Sequence, residues 1–300
     1  MDKSSAIGEY RRFNDSIQKR GFITTPISID IITKFAPLFL KNRRPSKVEI
    51  DNTIKPILQQ IQNENSDCFG INYTDTKGHS FTGDFFNLIP TDNPNQVTVG
   101  ATKIVIQRRR FICTFSSIPV TFTKHAVVRV FQRKEGMETV NYLPSVMFAL
   151  LFSLHYNLIT QESDGDFVLP FQNGLYLCKQ SSEGNVLGNS SIYLDNNGLR
   201  DALINNNFVI HSGFATTFVD HLVLSERQEK IRDRMIDFFN DNYVEFLHVI
   251  KQILFFDDKS HRQLLEKQLS PYMVWISDLV LSEEWQRSIR PRRKSTCSIQ

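Results

Sequence analysis

Cysteine is scarce: Cys68, Cys113, Cys178 and Cys297 are the only four in 300 residues, and no two form a C-x-x-C pair. No histidine stands at zinc-finger spacing from any of them. A zinc site and a disulfide framework are therefore disfavoured, and the pattern fits a reducing, cytoplasmic setting. No run approaches the 18 or so apolar residues that a membrane-spanning helix needs. The longest apolar stretch, Val146 to Leu154, reads as a buried helix. The opening residues Met1-Asp2-Lys3-Ser4-Ser5 lack the apolar core and cleavage site of a secretory signal. Missing too are a Walker A loop, G-x-G-x-x-G, G-x-S-x-G and H-E-x-x-H, which disfavours phosphate-loop ATPases, classical dinucleotide enzymes and zincin proteases. The nearest approaches to paired carboxylates, Asp164-Gly165-Asp166 and Asp257-Asp258, read as surface residues without the spaced ligands of a calcium loop. The expectation is no metal and no cofactor. Excess charge of one sign is also lacking. Lys+Arg is 35 against 32 for Asp+Glu, a net charge of +3, so the total balance alone does not imply nucleic acid.

What is present is ordinary globular composition, 41% hydrophobic and 22% charged, enough for one large core or two domains. Residues 1–65 read as a helical region, with apolar residues at helical spacing over Ile27 to Leu40 and Val48 to Ile61. From Cys68 the pattern becomes strand-like. Phe69 to Thr74 and His79 to Ile89 form one predicted pair, and Val97 to Ile106 with Phe111 to Phe115 a second hairpin. Val120 to Leu158 reads as strand, helix, helix. Asp166 to Lys179 reads as a hairpin turning at Asn173-Gly174, with Ser190 to Leu194 and Phe208 to Val219 as further strands. From Ser225 the chain is helical. Ser225-Glu226-Arg227-Gln228 matches a capping box, and a second helical region, His261 to Ile289, is expected to break at Ser270-Pro271. The expected fold class is α+β: a mixed or antiparallel sheet core over 66–222, N-terminal helices over 1–65, a C-terminal helical region over 223–290 and a basic, mobile tail over 291–300.

The segment with most chemical content is Ile118 to Lys134. An extended apolar stretch runs into a helical pattern that opens with Lys124-His125. His125, Arg129 and Arg133 are spaced i, i+4, i+8, a drift of only about 40° per step, so all three share one helix face. Histidine titrates near neutrality and suits proton transfer. Arginine stays charged and can hold a phosphate with two parallel hydrogen bonds. RNA cleavage needs that combination, a base for the 2′-hydroxyl, an acid for the leaving oxygen and cations for the charged phosphorane. His211 and His221, ten residues apart around Thr216-Thr217, are the candidate second proton-transfer groups. Arg108-Arg109-Arg110 precedes the helix and adds a second basic cluster of the kind that tracks phosphates. The plain alternatives are a solvated polar helix face and a solvated arginine turn.

A strand leading into Lys124-His125-Ala126-Val127, then helices, then several strands, resembles the toxin cores of the BrnT and RelE type, within the wider barnase–colicin–RelE group of small ribonucleases. The resemblance spans residues 118–222. It implies a metal-independent ribonuclease acting as a toxin or defence effector. His125 would be the general acid/base, Arg129 and Arg133 would hold phosphate with Lys124 assisting, and Thr216, Thr217 and His221 would come from a last strand facing the His125 helix. The chain departs from that group in its length and in a last strand, Phe214 to His221, that carries no arginine.

The last four residues, Cys297-Ser298-Ile299-Gln300, match the C-a-a-X prenylation pattern and follow the polybasic stretch Arg290 to Lys294. The match has meaning only in a eukaryotic cell, where Cys297 would tether the chain to a membrane. Two readings follow. The first is an RNA- or other nucleic-acid-binding protein with nuclease activity centred on His125. The second is a non-enzymatic protein whose helical ends bind a protein partner, membrane-associated through Cys297.

Overall fold

A computed structural model describes residues 1–20, 46–56, 59, 74–75, 81–107, 110–133, 139–156, 159–160, 165–195, 198–255 and 262–289. No helix among them is long and apolar enough to cross a membrane. The expected helix over Ile27 to Leu40, Asp164, Asp257-Asp258 and the tail with Cys297 lie outside the described residues.

Helix α1 (Lys3–Arg20) is followed by a short turn α2 (Lys47–Glu49) that continues as a π-helical stretch to Ile54. Strands β1 (Thr74–Asp75), β2 (Phe81–Pro90), β3 (Gln96–Gln107) and β4 (Arg110–Thr123) come next. Helices α3 (Lys124–Gln132) and α4 (Leu143–Leu154) separate them from β5 (Asp166–Phe171), β6 (Gly174–Asp195) and β7 (Gly198–Asp220). Helices α5 (Glu226–Phe255), α6 (Arg262–Leu281) and α7 (Glu283–Ile289) complete the described chain. The fold is α+β, with a mixed sheet in the order β1-β2-β3-β4-β7-β6-β5.

The sheet is mixed because of one parallel contact. Val120 to Phe122 of β4 lie beside Gly213 to Ala215 of β7 in parallel, whereas Arg110 to Phe115 of the same strand pair antiparallel with Ser190 to Asp195 of β6. The β6–β7 ribbon therefore presents one strand to β4 at its base and the other at its tip. Register shifts at Gln180/Gly184 and Val186/Gly188 lie between these two contacts. Bulges raise local twist, and two-stranded ribbons twist most, which accounts for the exchange. The same Gly- and Asn-containing stretch reads in sequence as a break between strands. The structure joins both halves into strands of 22 and 23 residues.

Two further expectations are corrected. Ser270-Pro271 does not break the C-terminal helix: Pro271 lies inside α6. A proline inside a helix costs about 3 kcal/mol, but Leu269 and Tyr272 beside it, and Ile276 and Leu279 beyond it, are all buried, and this packing holds the helix together. The hairpin near Asn173-Gly174 exists, but Phe171 pairs with Gly174, so the two turn residues are Gln172 and Asn173. Gln172 takes the left-handed φ of 45°. Gly174 is required for another reason: a Cβ there would collide with the Phe218 ring and the Val219 carbonyl.

Helix α4 is the centre of the core. Val146, Met147, Phe148, Ala149, Leu150, Leu151 and Phe152 are all buried, as expected for a helix apolar on every side. It packs on β4, β5 and β7 and against α5 and α6, so sheet and C-terminal helices share one apolar cluster. Five rings, Phe122, Tyr142, Phe171, Tyr176 and Phe218, interlock at centroid distances of 4.8–5.8 Å where β4, β5, β6, β7 and the start of α4 meet. Burial pushes the Tyr142 and Tyr176 phenols up from their usual range. This cluster lies under both regions considered next.

Candidate functional site

Helix α3 starts where β4 ends, and Thr123 fixes the junction. Its hydroxyl accepts from the Ala126 N–H at 3.3 Å, capping the helix, and donates to the Ala215 carbonyl of β7 at 3.0 Å. Ala126, Val127, Val128 and Val130 are buried, which turns His125 and Arg129 outward into solvent. His125 makes no hydrogen bond or ion pair with any described residue, and Arg129 has one 3.3 Å bond from Nη1 to Gln132 Oε1. The two stand one turn apart on the exposed face, as their spacing predicts.

The other residues of the predicted set are placed differently. Arg133 sits at the C-terminal cap of α3 and its Nε reaches Asp220 Oδ2 at 2.5 Å, a carboxylate only 3% exposed against 40% for the arginine. It fastens the helix end to β7. The aliphatic packing of α3 leaves Lys124 half-buried, with its backbone N–H donating to Asn95 O at 2.7 Å and its ammonium 5.5 Å from the Tyr10 ring centre. His221 is exposed, one residue past Asp220. It therefore stands near the Arg133 end of α3, about 12 Å of helix rise from His125 (eight residues at 1.5 Å each). His211 stacks on Tyr156 at 3.8 Å, and its buried Nδ1 finds no partner among the described residues. The Thr216 hydroxyl donates to Leu177 O, a bond within the sheet.

Of the basic hairpin only Arg110 is described, and it does not extend the α3 cluster. Arg108 and Arg109 lie outside the described residues, and Arg110 begins β4 whereas α3 follows its end. Fourteen strand residues at about 3.3 Å each put roughly 46 Å between the Arg110 backbone and the start of α3. Proximity in sequence does not bring them together. No group of three or more His, Cys, Asp or Glu able to hold a metal occurs among the described residues.

A concave site exists elsewhere, and sequence reasoning missed it. An open cleft of about 510 Å³ lies between the start of α4, the β5–β6 turn and α5. Leu143, Pro144 and Ile236 form its aliphatic wall. The amides of Asn141, Gln172, Asn173 and Asn240 and the rings of Phe239 and Tyr243 supply the rest. The rings meet edge to face at 5.3 Å, and burial raises the Tyr243 phenol, which is neutral at physiological pH. Gln172 Oε1 is buried with no hydrogen-bond partner, on the one non-glycine residue with positive φ among those described. The Asn173-Gly174 turn signal marked the place but not the cleft, whose other two walls lie about 30 and 65 residues away.

No family model matches the chain, no curated protein matches it, and no solved structure does. The functional reading therefore rests on geometry and chemistry alone.

Proposed function

We propose that this protein binds nucleic acid, with single-stranded RNA as the first candidate, through the exposed face of α3. The observation that supports this is the placement of His125 and Arg129. Both are exposed and adjacent, on a helix whose two ends are fixed to β7 by Thr123 and Arg133. A rigid face with an arginine whose one side-chain hydrogen bond among the described residues is a 3.3 Å contact to Gln132 suits bidentate phosphate contact. Cleavage is the further part of the reading. His125 would transfer the proton, but His221 stands too far along the helix to act on the same phosphodiester, so binding has more support than hydrolysis.

The test is affinity for single-stranded RNA as a function of salt. Loss of one phosphate contact in Arg129→Ala should flatten the slope of log affinity against log salt by about 0.7. Binding that is absent at low salt, or a slope untouched by the substitution, overturns the reading. For cleavage, RNA should be degraded in the presence of EDTA, and His125→Ala should slow this about 10²–10⁴-fold.

A second reading, a non-enzymatic partner-binding protein, is favoured by the exposed apolar side chains Val244 on α5 and Val274 and Leu281 on α6. A stable complex with a protein partner that Val244→Asp and Val274→Asp abolish, in a chain that does not bind RNA, would establish it.

A further inference from the structure

We infer that the amide-lined cleft takes an unpaired base of a single-stranded nucleic acid whose phosphates follow the α3 face. The inference rests on the nucleic-acid reading of α3 and adds to it the part of the ligand that carries sequence information.

The cleft has the chemistry of a base pocket. Its volume of about 510 Å³ lies within the range of small-molecule sites. Among the described residues its lining holds no carboxylate, ammonium, guanidinium or imidazole, so it suits a neutral group. Amides offer both donors and an acceptor, as the edges of nucleobases require, and Asn and Gln can pair with adenine through two bonds at once. Phe239 and Tyr243 offer ring surface for stacking, the interaction by which single-strand binders hold bases. Gln172 Oε1 is buried with no partner among the described residues, and a rotation of its amide into the cleft would offer it to an exocyclic amine. Its left-handed backbone is a conformation that a non-glycine residue keeps only where the surroundings impose it, and such residues cluster at binding sites.

The cleft is also connected through the sheet to the C-terminal end of α3. Gly174, next to the Gln172-Asn173 turn, pairs across the sheet with Asp220, and Asp220 holds Arg133 at the end of α3. Arg232 closes the rim, its Nη1 donating to Asn173 O at 3.1 Å while its Nε and Nη2 pair with Asp233. A base in the cleft would thus have its sugar and phosphate directed toward His221 at the end of α3, with Arg129 and His125 further along. A neutral saccharide would fill the same amides and rings but would have no use for the exposed Arg129 on α3, which is why a nucleotide is preferred.

The experiment compares three probes on the full chain by calorimetry or amide chemical shifts: the four free nucleosides, short single-stranded RNA, and duplex RNA of the same sequence. Single strands should bind more tightly than duplex, and at least one nucleoside should bind weakly at the cleft. Tyr243→Ala should weaken single-strand binding about 5- to 150-fold, the equivalent of losing one stacked base, and Asn240→Ala by a similar factor through loss of an amide–base pair, neither changing the salt slope. Tyr243→Phe, which keeps the ring and the packing, should retain most of the affinity. Nucleoside binding that persists while Arg129→Ala has no effect on RNA would uphold the cleft and sink the α3 reading. Salt-dependent RNA binding indifferent to Tyr243→Ala and Asn240→Ala, equal affinity for duplex, or a neutral saccharide binding in place of every nucleoside would overturn the cleft proposal.

Discussion

The α3 face and the amide cleft are opposite kinds of surface. The first is convex, cationic and built from nine consecutive residues. The second is concave, neutral and assembled from three segments spread over residues 141–243. A polyanion is attracted by the first at long range and distinguished by the second at contact, because charge acts at a distance whereas hydrogen bonds and stacking require fit. The contrast also runs within α3. Arg129 and Arg133 are one turn apart and identical in type, yet one is open to solvent and the other satisfies a buried carboxylate.

The largest expected effect tests that last contrast. Arg133→Ala leaves Asp220 buried without its cation, which costs about 3–5 kcal/mol. With Arg133 itself 40% exposed, the lower end is expected. Thermal unfolding should show a fall of roughly 6 °C, at about 2 °C per kcal/mol for a chain of this size. A variant of unchanged melting temperature would return Arg133 to the candidate phosphate ligands.

A second effect concerns the ring cluster beneath both surfaces. Tyr142 and Tyr176 have folded pKa values raised above the usual 10.0, chiefly by burial. The sign follows: folding favours the neutral phenols, so this contribution is complete below pH 10 and is lost as pH rises beyond it toward the folded values. Denaturant melts between pH 8 and 11 should show stability falling at the alkaline end, and Tyr142→Phe should reduce that fall. A pH-independent midpoint in wild type would contradict the burial. At the acid end His155, whose pKa is lowered by desolvation, should cost stability as pH falls below its ordinary 6.5.

Smaller still is the strain at Gln172. Gln172→Gly removes a left-handed non-glycine residue and should stabilise the chain by about 1 kcal/mol, while nucleoside binding weakens through loss of the amide. A variant that is more stable and binds equally well would remove Gln172 from the cleft's recognition set. The smallest stability change belongs to Arg129→Ala, within about 0.5 kcal/mol as for an ordinary surface substitution, even though its RNA affinity should drop. Chemical denaturation beside the binding assay separates the two.

Much of the fold was legible in local pattern. The β3–β4 hairpin, the strand-to-helix junction at Thr123-Lys124, the buried helix over Val146 to Leu154 and the Ser225 capping box are all written in neighbouring residues. In the structure the last has Gln228 N–H donating to Ser225 Oγ and Gln228 Oε1 accepting from the Ser225 N–H. The exposed half of the α3 face was legible too, because helical periodicity alone sets which residues share a side.

The remainder depended on partners distant in the chain. Arg133 differs from Arg129 only because Asp220, 87 positions later, is buried beside it. Pro271 stays within a helix because residues on both sides of it are held by the core. Asn173-Gly174 reads as a left-handed turn pair, but the close approach of Phe218 and Val219 claims the glycine and moves the turn to Gln172-Asn173. Local sequence determined the elements and the polar stripe of α3. Which arginine is free, which residue is strained and where a cavity opens were decided by tertiary packing, since each depends on atoms that only the folded chain brings within a few ångströms.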